Sequence, residues 1–194
     1  MPPKHVSDLP PRESPPPAEV QASSPEAFKA VFARLASSVA VITFRVGEHL
    51  HGFTATSLTP VSMVPPMALF CVGRENASHR YLAIGTDVGI SILGEDQTDM
   101  SARFAGKTEL GGYADIAVVE AAPGVSLIEG AIAGLSATVD QMIPGGDHTI
   151  YLCRLASGAL GTDGGPLLYF WRDYHALGGT LRDRANGTGA DPQS

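Results

Sequence analysis

Apolar residues first recur at helical spacing. Phe28, Val31, Phe32 and Leu35 fall on one face of a 3.6-residue period, which predicts a helix. Two starts fit it. Ser23 with Glu26 forms a capping box, or Ser24 caps with Pro25 at the first helical position. Ser37 and Ser38 end it. The pattern then changes to short β-branched and alternating runs. Val39 to Val46 reads as a strand, Gly47-Glu48 as a turn, and His49 to Ser57 as a returning strand in which Thr54 and Thr56 alternate with Phe53 and Ala55.

Val64-Pro65-Pro66 is excluded from a central strand because proline lacks the ladder donor. Met67 to Val72 is a continuous apolar run expected to be a buried strand. A short helix over Ala77–Ile84, a strand over Val88–Leu93 and a second helix over Gln97–Phe104 follow, the last stopped by Gly106. Residues from Lys107 to Gly124 read as irregular. Ala131–Ile143 and His148–Leu160 flank Pro144-Gly145-Gly146-Asp147, a hairpin by its turn chemistry. Pro166–Trp171 closes the set. Many strands, few short helices and no βαβ rhythm predict a mainly β protein, an antiparallel barrel with helical additions.

The ends differ in composition. Residues 1–24 are punctuated by Pro2, Pro3, Pro10, Pro11 and Pro15 to Pro17, and 178–194 are rich in glycine and polar residues. Neither can bury enough apolar surface to offset ordering, so both are expected to be flexible tails around a folded unit at 25–177. A chain of 194 residues, 44% hydrophobic, suits one domain with a real core.

The net charge of −7, with 13 scattered Lys and Arg, argues against nucleic acid as a partner. Cys71 and Cys153 lie in apolar runs and read as reduced thiols. No apolar stretch approaches the ~20 residues that span a bilayer, and no signal-peptide pattern opens the chain. The expectation is a cytoplasmic protein without a membrane partner.

Four segments carry candidate chemistry. His51 to Ser62 is dense in hydroxyls at a strand end. Gly52 and Ala55 would let a ligand approach the backbone, although a Thr-rich strand leading into a polar turn explains the same residues. Gly73 to His79 places Asn76, Ser78 and His79 before a predicted helix, as caps or as anion donors. Arg103 and Phe104 stand at a helix end, where Arg103 would meet a phosphate or simply the helix C-terminus. Asp147-His148 in the hairpin turn offers an acid–base pair or an exposed turn. No Gly-x-Ser-x-Gly elbow, Walker loop, Rossmann fingerprint or His-Glu-x-x-His is present.

In this order the segments resemble the flavin reductase family with the FMN-binding split-barrel fold, which includes the reductase components of two-component flavin monooxygenases. The resemblance runs from Ala27 to Tyr174. It rests on Phe32–Thr43, on Gly52–Ser62 with Pro65-Pro66, on Leu93–Gln97 through Phe104-Ala105-Gly106, on Gly146–Thr149 and on Pro166–Phe170.

The resemblance implies an antiparallel split β-barrel that forms a homodimer, with FMN or FAD near the subunit interface. It implies hydride transfer from NADH or NADPH to that flavin, with reduced flavin diffusing to a partner monooxygenase. The implied flavin contacts are Thr54, Ala55, Thr56, Ser57 and Ser62 along the ring and ribityl chain. Cys71 and Val72 would border the ring, Asn76, Ser78 and His79 the phosphate region, and Arg103 and Phe104 would complete the site. His148 would orient the nicotinamide. The chain departs from the family at Thr56, where asparagine is usual, and at Met63-Val64, which replaces a polar turn. Two other readings compete: a split-barrel flavoprotein that retains its flavin and reduces a dedicated substrate, and a non-catalytic flavin- or haem-binding module with His49, His51 and His148 as conceivable haem ligands.

Overall fold

The computed structural model describes residues 24–106, 111–161 and 163–178. The expected tails therefore lie outside the described residues, apart from their innermost positions. So does Ser23.

Helix α1 (Pro25–Phe32) starts at Ser24, whose side chain accepts from the Ala27 amide at 3.1 Å, with Pro25 at the first position. The second of the two predicted starts is the one used. The chain then forms β1 (Ser37–Ser38), β2 (Ala40–Val46), β3 (His49–Ala55), β4 (Thr59–Met63) and β5 (Pro66–Gly73). After a 3-10 helix (Ala77–Arg80) come β6 (Asp87–Ile92), α2 (Thr98–Ala105), β7 (Val118–Ala122) and β8 (Val125–Ile128). The long strands β9 (Ala133–Gly145) and β10 (His148–Leu160) precede β11 (Leu168–Phe170) and β12 (Asp173–His175). Among the described residues no helix is long and apolar enough to cross a membrane.

The principal sheet has seven strands in the order β3-β2-β6-β9-β10-β5-β4, and every pairing is antiparallel. It curls so that β3 comes opposite β5. Phe53 meets Phe70 ring to ring at 5.8 Å, and the Ser57 hydroxyl accepts from the Cys71 amide at 2.9 Å. The inward face closes over Ile42, Phe44, Phe53, Phe70, Ile90 and Tyr151, all buried. On the outer face, Val39, Val41 and Leu93 pack with Phe104 of α2, Tyr113, Ile128 of β8 and Leu167. Strand β2 lies between β3 and β6 with both faces covered, so Ala40 to Phe44 are all buried, Thr43 among them. The Thr43 hydroxyl at its middle donates to the Ser126 carbonyl at 2.5 Å, so β8 seats on the sheet through a satisfied buried polar contact.

Several expected boundaries move. The stretch before the paired prolines is not only a turn. It holds β4, an edge strand where Pro60 needs no inward donor. Strand β5 alternates rather than lying wholly buried: Ala68, Phe70 and Val72 face the core, while Met67, Leu69 and Cys71 are half-exposed. The helix expected over Ala77–Ile84 stops at Arg80, because Gly85 turns at φ +89° and the chain must enter β6 at Asp87. The region expected to be irregular, Lys107 to Gly124, contains β7, which pairs with β8 just beyond it across a turn with Gly124 at φ +78°. The closing strand is followed by β12 across a tight turn in which Trp171 and Arg172 both take positive φ, 55° and 62°. The apolar face of α1 is present, but Phe28, Val31 and Phe32 are 62%, 64% and 51% exposed.

Candidate functional site

A cleft of about 760 Å³ opens between the 3-10 helix, the end of α2 and β3. Its floor is set by Gly52, where the position a β-carbon would take is filled by the Ile42 carbonyl (2.5 Å) and the Phe104 ring (3.0 Å). The glycine therefore admits the Ile42 carbonyl of β2 and the Phe104 ring of α2, and it also lines the cleft. Phe104, 1% exposed, stacks on Tyr113 with centroids 4.2 Å apart.

The polar side of the cleft comes from the loop after β5. Asn76 caps the 3-10 helix by accepting from the Ser78 amide at 2.9 Å. The Ser78 hydroxyl lies 3.3 Å from His51 Nε2, and His79 Nε2 lies 2.9 Å from the Thr149 hydroxyl. The 3-10 helix is too short for the macrodipole expected from a longer one. Donors here are side chains, with Arg74 and Arg80 beside them.

His51 is 3% exposed and ringed by Phe44, Tyr81 and Tyr113. Burial, reinforced by the charge of Arg80, holds its pKa below the ordinary histidine value. Its Nδ1 is buried without a hydrogen-bond partner among the described residues.

A second cavity of about 180 Å³ lies across α2, lined by Val39, Thr54, Thr56, Ser101, Ala105, Tyr169 and Tyr174. Thr54 donates to the Ser101 carbonyl at 2.7 Å, and Ser101 Oγ lies 2.9 Å from the Tyr174 hydroxyl.

His148 stands at the β9–β10 turn with Nδ1 2.8 Å from the Asp147 carboxylate, over the open side of Gly73. The hydrogen bond from His148, then its charge, pulls the Asp147 pKa down. The Arg74 amide donates to the Asp147 carbonyl at 2.9 Å, so the hairpin tip is tied to the cleft mouth.

The structure thus gathers Asn76, Ser78, His79 and Phe104 in one cleft, with His148 tied to its edge through Gly73 and Arg74. Thr54 and Thr56 open on the other side of α2, and Ser57 and Cys71 are joined to each other. The side chains of Ala55 and Val72 are buried in the core, leaving only their backbone to offer. Ser62 sits on the edge strand β4 and accepts from the Val64 amide at 3.2 Å. Arg103 does not line the cleft. Its guanidinium forks onto Asp115 and donates to the Gly112 carbonyl.

Sequence reasoning missed Tyr113, Arg80 and Tyr174, and gave His51 no part in a flavin site. His51 had a signal: it is a polar residue in the inward register of β3 with Phe53 and Ala55. The same residue, a conceivable haem ligand by sequence, has its Nε2 engaged by Ser78. The donor set of Asn76, Ser78, His79 and two arginines fits an anionic, nucleotide-sized group.

Comparison with known proteins agrees with this geometry. The family model described as a flavin reductase like domain matches residues 32–178. The reductase component of 4-hydroxyphenylacetate 3-monooxygenase from Thermus thermophilus is 36% identical over 152 residues, covering 78% of this chain and 96% of that protein. A Streptomyces coelicolor protein named actinorhodin polyketide dimerase is 37% identical over 146 residues, covering 75% and 82%. Among solved structures, the NADH:FAD oxidoreductase SgcE6 of Streptomyces globisporus C-1027 superposes with a TM-score of 0.76 at 28% identity, covering 84% of this chain and 100% of that one. The chain therefore belongs to the flavin reductase like family.

Proposed function

We propose that this protein is an NADH-dependent flavin reductase that supplies reduced flavin to a separate monooxygenase. The observation that carries the reading is the cleft in which Asn76, Ser78, His79 and the arginines converge, with His148 held at its mouth by the β9–β10 turn. Its support outside the chain is the naming of relatives as a monooxygenase reductase component and as an NADH:FAD oxidoreductase. The flavin, when bound, supplies the hydride-accepting ring.

The chain's own residues bind and orient. Asn76, Ser78 and His79 hold the phosphate end. Ser57 and the backbone beside Cys71 border the ring, and Thr54 and Thr56 shape the wall next to α2. His148 directs the nicotinamide, its ring fixed by the Asp147 carboxylate. Thr56, where the family favours asparagine, is exposed at the second cavity. It offers a hydroxyl in place of an amide.

The exposed apolar face of α1 supports a homodimer, since a second copy would cover Phe28, Val31 and Phe32. Light scattering on the purified protein gives the mass. We place the enzyme in the cytoplasm, where NADH is supplied.

The test is NADH oxidation at 340 nm with and without added flavin. Turnover that depends on free flavin is expected. Bound flavin without turnover would point to a dedicated organic substrate instead. His148→Ala should raise the KM for NADH roughly tenfold, about the worth of one hydrogen bond to a polar group, and should leave flavin affinity nearly intact. Equal loss of flavin affinity would show that His148 belongs to the flavin seat.

A further inference from the structure

Ser78 has one polar group left for a ligand. Its amide donates to the Asn76 side chain at 2.9 Å, and its carbonyl accepts from the Tyr81 amide at 3.1 Å. The neighbouring Asn76 and His79 amides are also engaged, by the Gly73 and Asn76 carbonyls. What remains on Ser78 is the hydroxyl, whose contact among the described residues is His51 Nε2 at 3.3 Å. Both residues line the main cleft, and both are nearly fully buried.

What that hydroxyl can do depends on which His51 nitrogen carries the proton. With the proton on Nδ1, the ring accepts from Ser78 and the hydroxyl proton is spent on it. With the proton on Nε2, the ring donates to Ser78 Oγ and the hydroxyl proton is free for a ligand. His51 Nδ1 is buried without a partner among the described residues. A proton there would make an orphaned buried N–H, the least tolerated unpaired group in folded proteins, whereas a bare lone pair is better tolerated. Burial and the Arg80 charge lower the His51 pKa, so above pH 7 the ring holds a single proton. The ring is also fixed in direction, edge-on to Phe44 at 5.3 Å and to Tyr81 at 5.5 Å, with Tyr113 at 6.1 Å. Packing alone does not account for a histidine here. An apolar side chain in the same inward register as Phe53 and Ala55 would avoid burying an unpaired nitrogen.

We propose that His51 is a positioning residue for the phosphate end of the flavin: its Nε2–H donates to Ser78 Oγ and so turns the Ser78 hydroxyl proton toward the bound phosphate. The inference rests on the flavin-reductase reading. His51 touches no ligand itself. The charge-assisted bond is made by Ser78, and His51 sets its direction before the ligand arrives.

The experiment titrates FMN and riboflavin, which differ by the phosphate, by quenching of flavin fluorescence. Wild-type protein is expected to bind FMN at least tenfold more tightly than riboflavin. His51→Leu should weaken FMN about tenfold, the order of a hydrogen bond to a charged group, and leave riboflavin within about twofold. His51→Gln, whose amide nitrogen can reach the Nε2 position, should recover most of the loss. His51→Leu added to Ser78→Ala should cost nothing further, because His51 acts through Ser78. Circular dichroism checks that each variant folds. Proportional weakening of FMN and riboflavin by His51→Leu would overturn the proposal, since a merely structural role predicts it. So would an added loss in the double variant, or equal affinity of the wild type for the two flavins. A test that needs no folded variant is the long-range proton–nitrogen NMR spectrum of wild-type protein at about pH 8. The Nε2-protonated tautomer is expected for His51, and the Nδ1-protonated one would overturn the proposal. Wild-type protein that neither binds nor reduces any flavin would remove the parent reading, and this proposal with it.

Discussion

Gly52→Ala adds a single methyl group at the junction of β2, β3 and α2. Its carbon would sit 2.5 Å from the Ile42 carbonyl and 3.0 Å from the Phe104 ring. Neither neighbour can yield cheaply. Ile42 is held in register with Phe53 on one side and Ile90 on the other. Phe104 is 1% exposed and backed by Tyr113 at 4.2 Å.

Overpacking of this kind costs ~1–3 kcal/mol. For chains of roughly 150–250 residues each kcal/mol lowers Tm by ~2–4 °C, so a fall of about 2–12 °C is expected. The assay is a thermal melt by circular dichroism, paired with urea unfolding to separate a change in midpoint from a change in slope. Gly106→Ala is the reference, because among the described residues its new carbon would meet nothing nearer than 3.5 Å. Because the strain falls on Phe104, flavin affinity should weaken in parallel with stability. A Gly52→Ala protein melting within about 1 °C of both wild type and Gly106→Ala would refute the claim that Gly52 is needed for the close approach of β2 and α2.

The buried His51 and the turn at Arg172 each lead to a further measurable outcome. The depressed pKa of His51 means that the unfolded chain binds a proton more readily than the folded one. This stability is present above the unfolded value near 6.5 and is lost as pH falls below it toward the folded pKa. Melting temperature should therefore decline as pH is lowered from 7 to 5, and His51→Asn should flatten that decline; an unchanged slope would contradict it. Arg172→Gly should raise Tm by ~1–4 °C, because a non-glycine residue at φ 62° costs ~1–2 kcal/mol, only partly offset by glycine's greater entropy in the unfolded chain. A lower Tm would show that the Arg172 side chain contributes more than its backbone costs.

What could be read from the sequence was local. Alternation placed β3, the turn chemistry of Gly146-Asp147 placed the long hairpin, and the spacing of α1 gave its apolar face. The elements that escaped were short ones. β1 is held only by the distant β11, while β4, β7, β8 and β12 are runs of three to five residues, too short for alternation to carry a signal. The site divides in the same way. Asn76, Ser78 and His79 sit in one local loop and were legible together. The fates of Gly52 and Arg103 were decided by Phe104 and Asp115, brought to them only by tertiary packing. His51 reads from the sequence only as a conceivable haem ligand, because a polar residue on a buried register shows no other role until its neighbours are known.

Helix α2 separates the two cavities, and it is pinned from both sides. Thr54 grips the Ser101 carbonyl, Tyr174 meets the Ser101 hydroxyl, and Asp115 clasps Arg103. Ala105 borders both spaces at once. For anyone seeking to re-engineer substrate preference, the two chambers are rooms with a party wall. A residue chosen to reshape one will be felt in the other, so libraries should vary Thr54, Thr56 and Ala105 jointly with the residues of the main cleft.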